Sequence, residues 1–184
     1  GTVTNASGGT VSGLTSGILA SALATVVNAG MISGANYNVV AIVQGGTVIN
    51  QTGGTLSSTG APTATPSVGY AVYAANSAST VVNAGVIAGT GAGGIDLYRA
   101  SGIVGNLVGG VISGATVGVR VREGVATVSN AGTIAGGATA VALSVGYANR
   151  VIVDAGATFI GKVDGGNTVG ALASSTLELT STGS

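Results

Sequence analysis

Cysteine, histidine and tryptophan are all absent from the 184 residues, and only 5% of the side chains are charged. Without thiolate or imidazole, zinc sites built on those ligands, cysteine nucleophiles and every histidine-based triad are excluded. The missing cysteines fit an exported bacterial protein that does without disulfides, and fit a cytosolic one equally. All charged residues lie from Asp96 onward, so the first 95 residues carry none, and the formal net charge is zero. Such a chain has no basic stripe to follow a phosphate backbone, which argues against nucleic-acid binding. Neutrality also removes the repulsion that keeps chains apart in solution. No apolar run reaches the length of a membrane-spanning helix, the densest cluster being Val39 to Val43. The chain starts at Gly1 without Met, a charged leader or an apolar leader segment, so it reads as an excised piece whose export signal, if it has one, lies upstream or was removed.

What is present is repetition. TVTNAS at Thr2, TVVNAG at Thr25, TVINQT at Thr47, TVVNAG at Thr80, IVGNLV at Ile103, TVSNAG at Thr127 and VIVDAG at Val151 share one pattern, and TLELTS at Thr176 is a degenerate eighth copy. Anchored on Val3, Val26, Val48, Val81, Val104, Val128, Ile152 and Leu177, the copies are 23, 22, 33, 23, 24, 24 and 25 residues apart. A period of that length is a solenoid signature, and the one long gap holds an insertion. A second file of aliphatic residues, Val11, Ile32, Leu56, Ile87, Ile112, Ile134 and Phe159, follows each Asn by four to six residues. Links that short hold no helix. The fold expected is all-β: a right-handed parallel β-helix of about eight coils with three short strands per coil, one repeat segment spanning residues 1–184. At about 4.8 Å per coil the rod would be on the order of 38 Å long, with no central pocket.

Two residues after the inward anchor comes a polar file: Asn5, Asn28, Asn50, Asn83, Asn106 and Asn130, then Asp154. Two-residue alternation points it to the same side as the aliphatic file. Stacked amides can donate to one neighbour and accept from the next, so a buried structural ladder is expected. Asn5 and Asn50 match the glycosylation sequon, but an inward position argues against modification.

The repeats TVVNAGMISG, TVVNAGVIAG and TVSNAGTIAG, and the closing NTVGALASSTLELTSTG, resemble the passenger repeats of bacterial type V autotransporters over nearly the whole chain. The resemblance implies a secreted β-helical stalk at the cell surface, carried by an outer-membrane barrel elsewhere in the chain, in a family rich in adhesins and self-associating proteins. It says nothing of a catalytic module, since none of these residues belongs to one.

Other motifs weigh less. GTGAGG at Gly89 matches the dinucleotide-binding glycine pattern, but no helix follows to receive a phosphate. The calcium-roll nonapeptide needs an Asp in each copy, and GGNTVG and GGTVIN lack it. The five carboxylates, Asp96, Glu123, Asp154, Asp164 and Glu178, raise the question of polysaccharide cleavage. Arg120 and Arg122 lie beside the first two, and surface pairing accounts for them better. No cofactor or metal is expected.

On the third strand, taking Ile18, Val39, Val72, Ile95, Val119 and Val141 as inward places Leu19, Val40, Tyr73, Asp96, Arg120 and Ala142 outward, followed by Ile42, Tyr98 and Arg122. Ion pairing of Asp96 with Arg120 and stacking of Tyr98 with Arg122 are expected between coils. With Val27, Ile49 and Val82 outward on the first strand, these residues form a candidate interaction face, though aromatic residues also simply favour strands. Residues 57–68 are rich in Pro, Ser and Thr and read as an inserted projecting loop, either decoration or a contact or hydroxyl-glycosylation segment.

The function expected from this sequence is a non-enzymatic, extracellular or bacterial cell-surface segment that supports attachment or self-association into fibres. Its partners would be neighbouring repeats or a cell-surface glycan or protein. The alternative is an ice- or glycan-binding β-solenoid using the outward file Thr2, Thr25, Thr47, Thr80 and Thr127, which Ile103 and Val151 interrupt.

Overall fold

The computed structural model describes residues 1–58 and 68–180. Among them there is no helix, and every strand pairs in parallel with its equivalent one coil away. The first face is an eight-stranded ladder of Thr2–Asn5, Ala24–Asn28, Gly46–Asn50, Ser79–Asn83, Gly102–Asn106, Ala126–Asn130, Arg150–Val153 and Thr176–Leu179. The second and third faces join into one 12-stranded sheet, because Thr133–Ala142 runs along both and Thr158–Asp164 pairs beside it. The chain is thus a β-solenoid of about seven turns rather than eight, the last first-face strand standing one coil beyond the other two faces.

Its core is three aliphatic files. Val26, Val48, Val81, Val104, Val128 and Val151 come from the first face, and Ile32, Leu56, Ile87, Ile112 and Ile134 from the second. Val40, Val72, Ile95, Val119 and Val141 come from the third, all without solvent exposure. Stacking like on like lets each β-branched side chain pack on its copy above and below, and each burial is worth about 1.5–3 kcal/mol. Because a coil touches only its neighbours, stability is distributed along the rod rather than held in one centre.

The corner after each Asn alternates in length. From Asn28, Asn83 and Asn130 the chain reaches the second-face aliphatic residue in four positions, and from Asn5, Asn50 and Asn106 in six. The short corners are the Asn-Ala-Gly type. A Cβ on Gly85 would lie 2.2 Å from the Gly54 oxygen of the preceding coil, so only glycine allows that approach.

Two registers differ from expectation. In the seventh coil Val151 stacks on Val128 and Val153 on Asn130, which leaves Asp154 outside the ladder. The expected phase would put a carboxylate at the end of a buried row, where ionisation is costly. The observed phase buries Val151 and turns Arg150 out to pair with Glu178, while the Thr180 hydroxyl donates to Asp154 Oδ1 at 2.6 Å. In the second coil Val40 and Ile42 pair with Val72 and Ala74 and are fully buried, so neither faces outward. The run Asn38-Val39-Val40-Ala41-Ile42 is apolar in both phases. The phase adopted sets the larger Val40 and Ile42 over Ile18 and Ala20, and small Ala41 beside Tyr73.

Of the 57–68 insertion, Ser57 and Ser58 close the strand Thr55–Ser58 and Val68 is buried. The remainder, 59–67, lies outside the described residues.

Candidate interaction faces

The asparagine file is a continuous hydrogen-bonded row. Nδ2 of Asn5, Asn28, Asn50, Asn83 and Asn106 donates to Oδ1 of the next Asn at 2.8, 2.8, 2.9, 2.9 and 2.8 Å. Each of these amides also donates to two backbone carbonyls, for Asn83 those of Gly85 and Val111, both at 3.1 Å. Asn130 ends the row, donating to the Thr158 carbonyl at 3.1 Å with Val153 as its neighbour in the next coil. The row fastens corners to one another and has its donors engaged inside the fold, so it is scaffold rather than ligand surface.

Outward on the first face run two files at coil spacing. One is Thr2, Thr25, Thr47, Thr80, Ile103, Thr127, Arg150 and Thr176. The other contains Val27, Ile49 and Val82, all half-buried, then Gly105, Ser129 and Ile152. No charge interrupts either file before Arg150.

The third face carries the charged cluster. Asp96 stacks between Tyr73 and Arg120, and Tyr98 lies beside Arg122. Arg120 donates Nε and Nη2 to the two Asp96 oxygens at 3.2 and 3.1 Å, and Arg122 does the same at 3.1 and 2.5 Å. Although Asp96 is on the outer side of the sheet, its side chain is 0% exposed, against 25% and 26% for the two arginines. Both guanidinium groups also stack on rings, Arg120 at 4.9 Å from the Tyr70 centroid and Arg122 at 4.3 Å from that of Tyr98. Charge-assisted forks on one carboxylate, each backed by an aromatic face, fix both arginines in place. Arg99 and Glu123 form a further, exposed pair at the cluster edge.

Tyr70 holds the base of this cluster; the sequence places it, with Tyr37, Tyr73, Tyr98 and Tyr147, on or beside this face, but not under the arginines. Burial pushes its hydroxyl up to about 12, partly offset by Arg120. The signal for it lay one coil on: a Cβ at Gly93, its register partner, would come within 2.5 Å of the Tyr70 ring. Of the remaining residues expected on these faces, Leu19 is exposed and Tyr73 half-buried.

Beyond the arginines the third face drops into an open trough of about 430 Å³, lined by Arg120, Arg122, Glu123, Ser144 and Tyr147 together with the apolar Val121, Ala142, Leu143 and Val145. A second cavity, about 360 Å³, is apolar and sits where the core opens at the last coil, between Val151, Phe159, Val163 and Leu177. Every carboxylate has a partner: Asp96 the two arginines, Glu123 Arg99, Glu178 Arg150, Asp154 Thr180 and Asp164 Lys162. The Lys162 ammonium and the Gly166 N–H hold Asp164 below the usual carboxylate range. Among the described residues no group of metal-ligating side chains gathers, and no helix is long and apolar enough to cross a membrane. Comparison with protein families, with curated proteins and with solved structures finds no match for this chain.

Proposed function

We propose that the chain is a non-enzymatic structural and adhesive repeat segment of a bacterial surface protein, working through the outer sides of its sheets. The observation that carries this reading is the first face. Over six successive coils one file presents Thr in every coil but the fifth, which has Ile103, and the other includes Val27, Ile49 and Val82, with no charge to keep another sheet away. Six strands, five of them five residues long and the first four, span about 29 by 17 Å, or roughly 490 Å² per copy. A stable pair uses about 800 Å² per partner, so this face supports reversible contacts that become strong only when many act together. That is the behaviour of an attachment or fibre surface. The carboxylates support the same reading, since glycoside cleavage requires a separated acid and base facing one substrate, and here each is engaged with a cation or a hydroxyl.

Beads coated with the chain test this. They should aggregate with one another, and soluble chain in excess should disperse them. Coated beads that stay dispersed, and that attach to bacterial or host cells no better than albumin-coated beads, would remove the adhesive reading.

A further inference from the structure

We propose that the open edge of the first coil is a docking site for the end coil of a partner β-solenoid, one that carries Asn in the ladder position and a short corner after it. This contact is made at the end of the rod and does not depend on the outer-face reading. Thr2–Asn5, Thr10–Gly13 and Ile18–Ala20 are the outermost strands of their sheets, each paired on one side only. The core ends there uncovered: Val3 is 38% exposed, whereas Val26, its partner one coil on, is at 0%. Edge strands are ordinarily guarded by charge, and the first charged side chain of this chain is Asp96.

The interior of the rod shows what fits such an edge. The third and fifth coils have the same long corner as the first, and each sits on a short-corner coil through one set of bonds. Gln51 and Leu107 donate their N–H groups to the Asn28 and Asn83 carbonyls at 2.8 Å, and Thr55 and Val111 donate to the Gly30 and Gly85 carbonyls at 2.8 and 2.9 Å. In return Asn28 Nδ2 donates to the Thr55 carbonyl at 3.2 Å and to Asn50 Oδ1 at 2.8 Å. Asn83 Nδ2 does the same to the Val111 carbonyl at 3.1 Å and to Asn106 Oδ1 at 2.9 Å. On the first coil the equivalent groups are the Ala6 N–H, the Thr10 N–H and carbonyl, and Asn5 Oδ1, and among the described residues no coil lies in front of them. Asn5 is only 7% exposed, yet its Oδ1 accepts no hydrogen bond there, while Oδ1 of each later Asn in the row accepts one from the coil before.

Those groups specify the occupant. An Asn amide supplies the N–H bonds that reach both Asn5 Oδ1 and the Thr10 carbonyl, whereas an ionised Asp offers acceptors alone and Leu offers nothing. A Val or Ile two residues before that Asn covers Val3, as Val48 covers Val26 inside the rod. A second copy of this chain does not meet the requirement. Its last first-face strand, Thr176–Leu179, stacks on Arg150–Val153, so Leu179 stands where the Asn is needed. Among the described residues the other two faces also stop one coil short of that strand. The occupant is therefore the end of a different repeat chain, held by continuing the coil-to-coil contact already made inside the rod.

The test is a ¹⁵N–¹H NMR titration of the full chain with the end-capped peptide TVVNAGMISG, the short-corner sequence of residues 25–34. Saturable shifts should appear at the Asn5 side-chain amide and at the Ala6 and Thr10 backbone amides. The peptide TVVDAGMISG, in which an acceptor replaces the ladder donor, should bind about tenfold more weakly or worse. That comparison leaves the chain itself unchanged. Thr10→Pro supplies a second one: it removes an outward N–H at the first residue of an edge strand, where proline is tolerated, and should weaken binding while circular dichroism stays the same. Absence of saturable shifts at the first coil with the Asn peptide would overturn the proposal. Equal binding of the Asn and Asp peptides, or undiminished binding by a folded Thr10→Pro chain, would do the same. Shifts at the Ala6 and Thr10 amides that grow with chain concentration in the absence of peptide would show a second copy on this edge and overturn the assignment to a different chain.

Discussion

Replacing Asn83 by Asp changes one atom at the middle of the asparagine row and reverses its hydrogen-bonding sense. Asn83 Nδ2 faces three acceptors: the Gly85 and Val111 carbonyls at 3.1 Å and Asn106 Oδ1 at 2.9 Å. Its Oδ1 accepts from Asn50 Nδ2 at 2.9 Å. In Asn83→Asp an oxygen would meet those three acceptors in a site with no solvent exposure. Each buried group left without a partner costs about 1–3 kcal/mol, and an uncompensated charge raises the total to about 3–5 kcal/mol at neutral pH. For a chain of this length each kcal/mol lowers Tm by about 2–4 °C, so a drop of roughly 6–20 °C is expected. The loss should depend on pH. Burial raises the folded pKa of the introduced carboxyl above its unfolded value of about 3.9, so the variant should approach wild type below that pH, where the protonated acid donates one bond, and fall away as pH rises. Asn130→Asp is the internal comparison. Its site is equally unexposed, but the new oxygen meets one acceptor, the Thr158 carbonyl at 3.1 Å, instead of three, so its loss should be the smaller of the two. Thermal melts followed by circular dichroism at pH 4 and 7 decide the matter. Equal melting of Asn83→Asp and wild type, or equal losses in the two variants, would refute the ladder argument.

Val40→Lys or Ile42→Lys should each abolish the folded β signal in circular dichroism, because both side chains are at 0% exposure inside the third-face file; Val27→Lys, on the outer first face, should keep it. Asp96→Asn leaves two arginines without their shared carboxylate, and since a quarter of each stays in water the expected loss is about 2 kcal/mol, read as a lower urea midpoint. Tyr70 should ionise at about 12 in an absorbance titration at alkaline pH. Because its folded pKa is raised above the unfolded value of about 10, the stability it contributes is complete below pH 10 and is lost as pH climbs towards 12; Tyr70→Phe should remove that part of the alkaline loss.

The solenoid was legible because its signals repeat. One Val or Ile file, one Asn file and one second-face aliphatic file recur every coil, so a mistake in one copy is outvoted by the rest. Phase was legible only where one phase alone was apolar. At Asn38 to Ile42 both were, and the choice fell to residues in other coils, the small Ala41 beside Tyr73 and the larger Val40 and Ile42 against Ile18 and Ala20. The seventh coil did carry a usable signal. Corners alternate between six and four residues, and counting six back from Phe159 reaches Val153, whereas Asp154 breaks the alternation. On the third face the pairing of Asp96 with Arg120 followed from column position. Convergence of Arg122 on the same carboxylate, and the burial of Tyr70 under Arg120, depend on side-chain length and on the space left by Gly93, which a column alignment does not encode.

Sedimentation velocity across a concentration series tests the central claim, that the uncharged first face is a contact surface, most directly. The comparison is wild type against Val27→Lys combined with Ile49→Lys and Val82→Lys, three outward positions in one file. Wild type should shift reversibly to larger species as concentration rises into the high micromolar range, and the triple variant should stay monomeric with an unchanged β spectrum. A wild-type chain that sediments as a monomer throughout, or a triple variant that associates as wild type does, would contradict it.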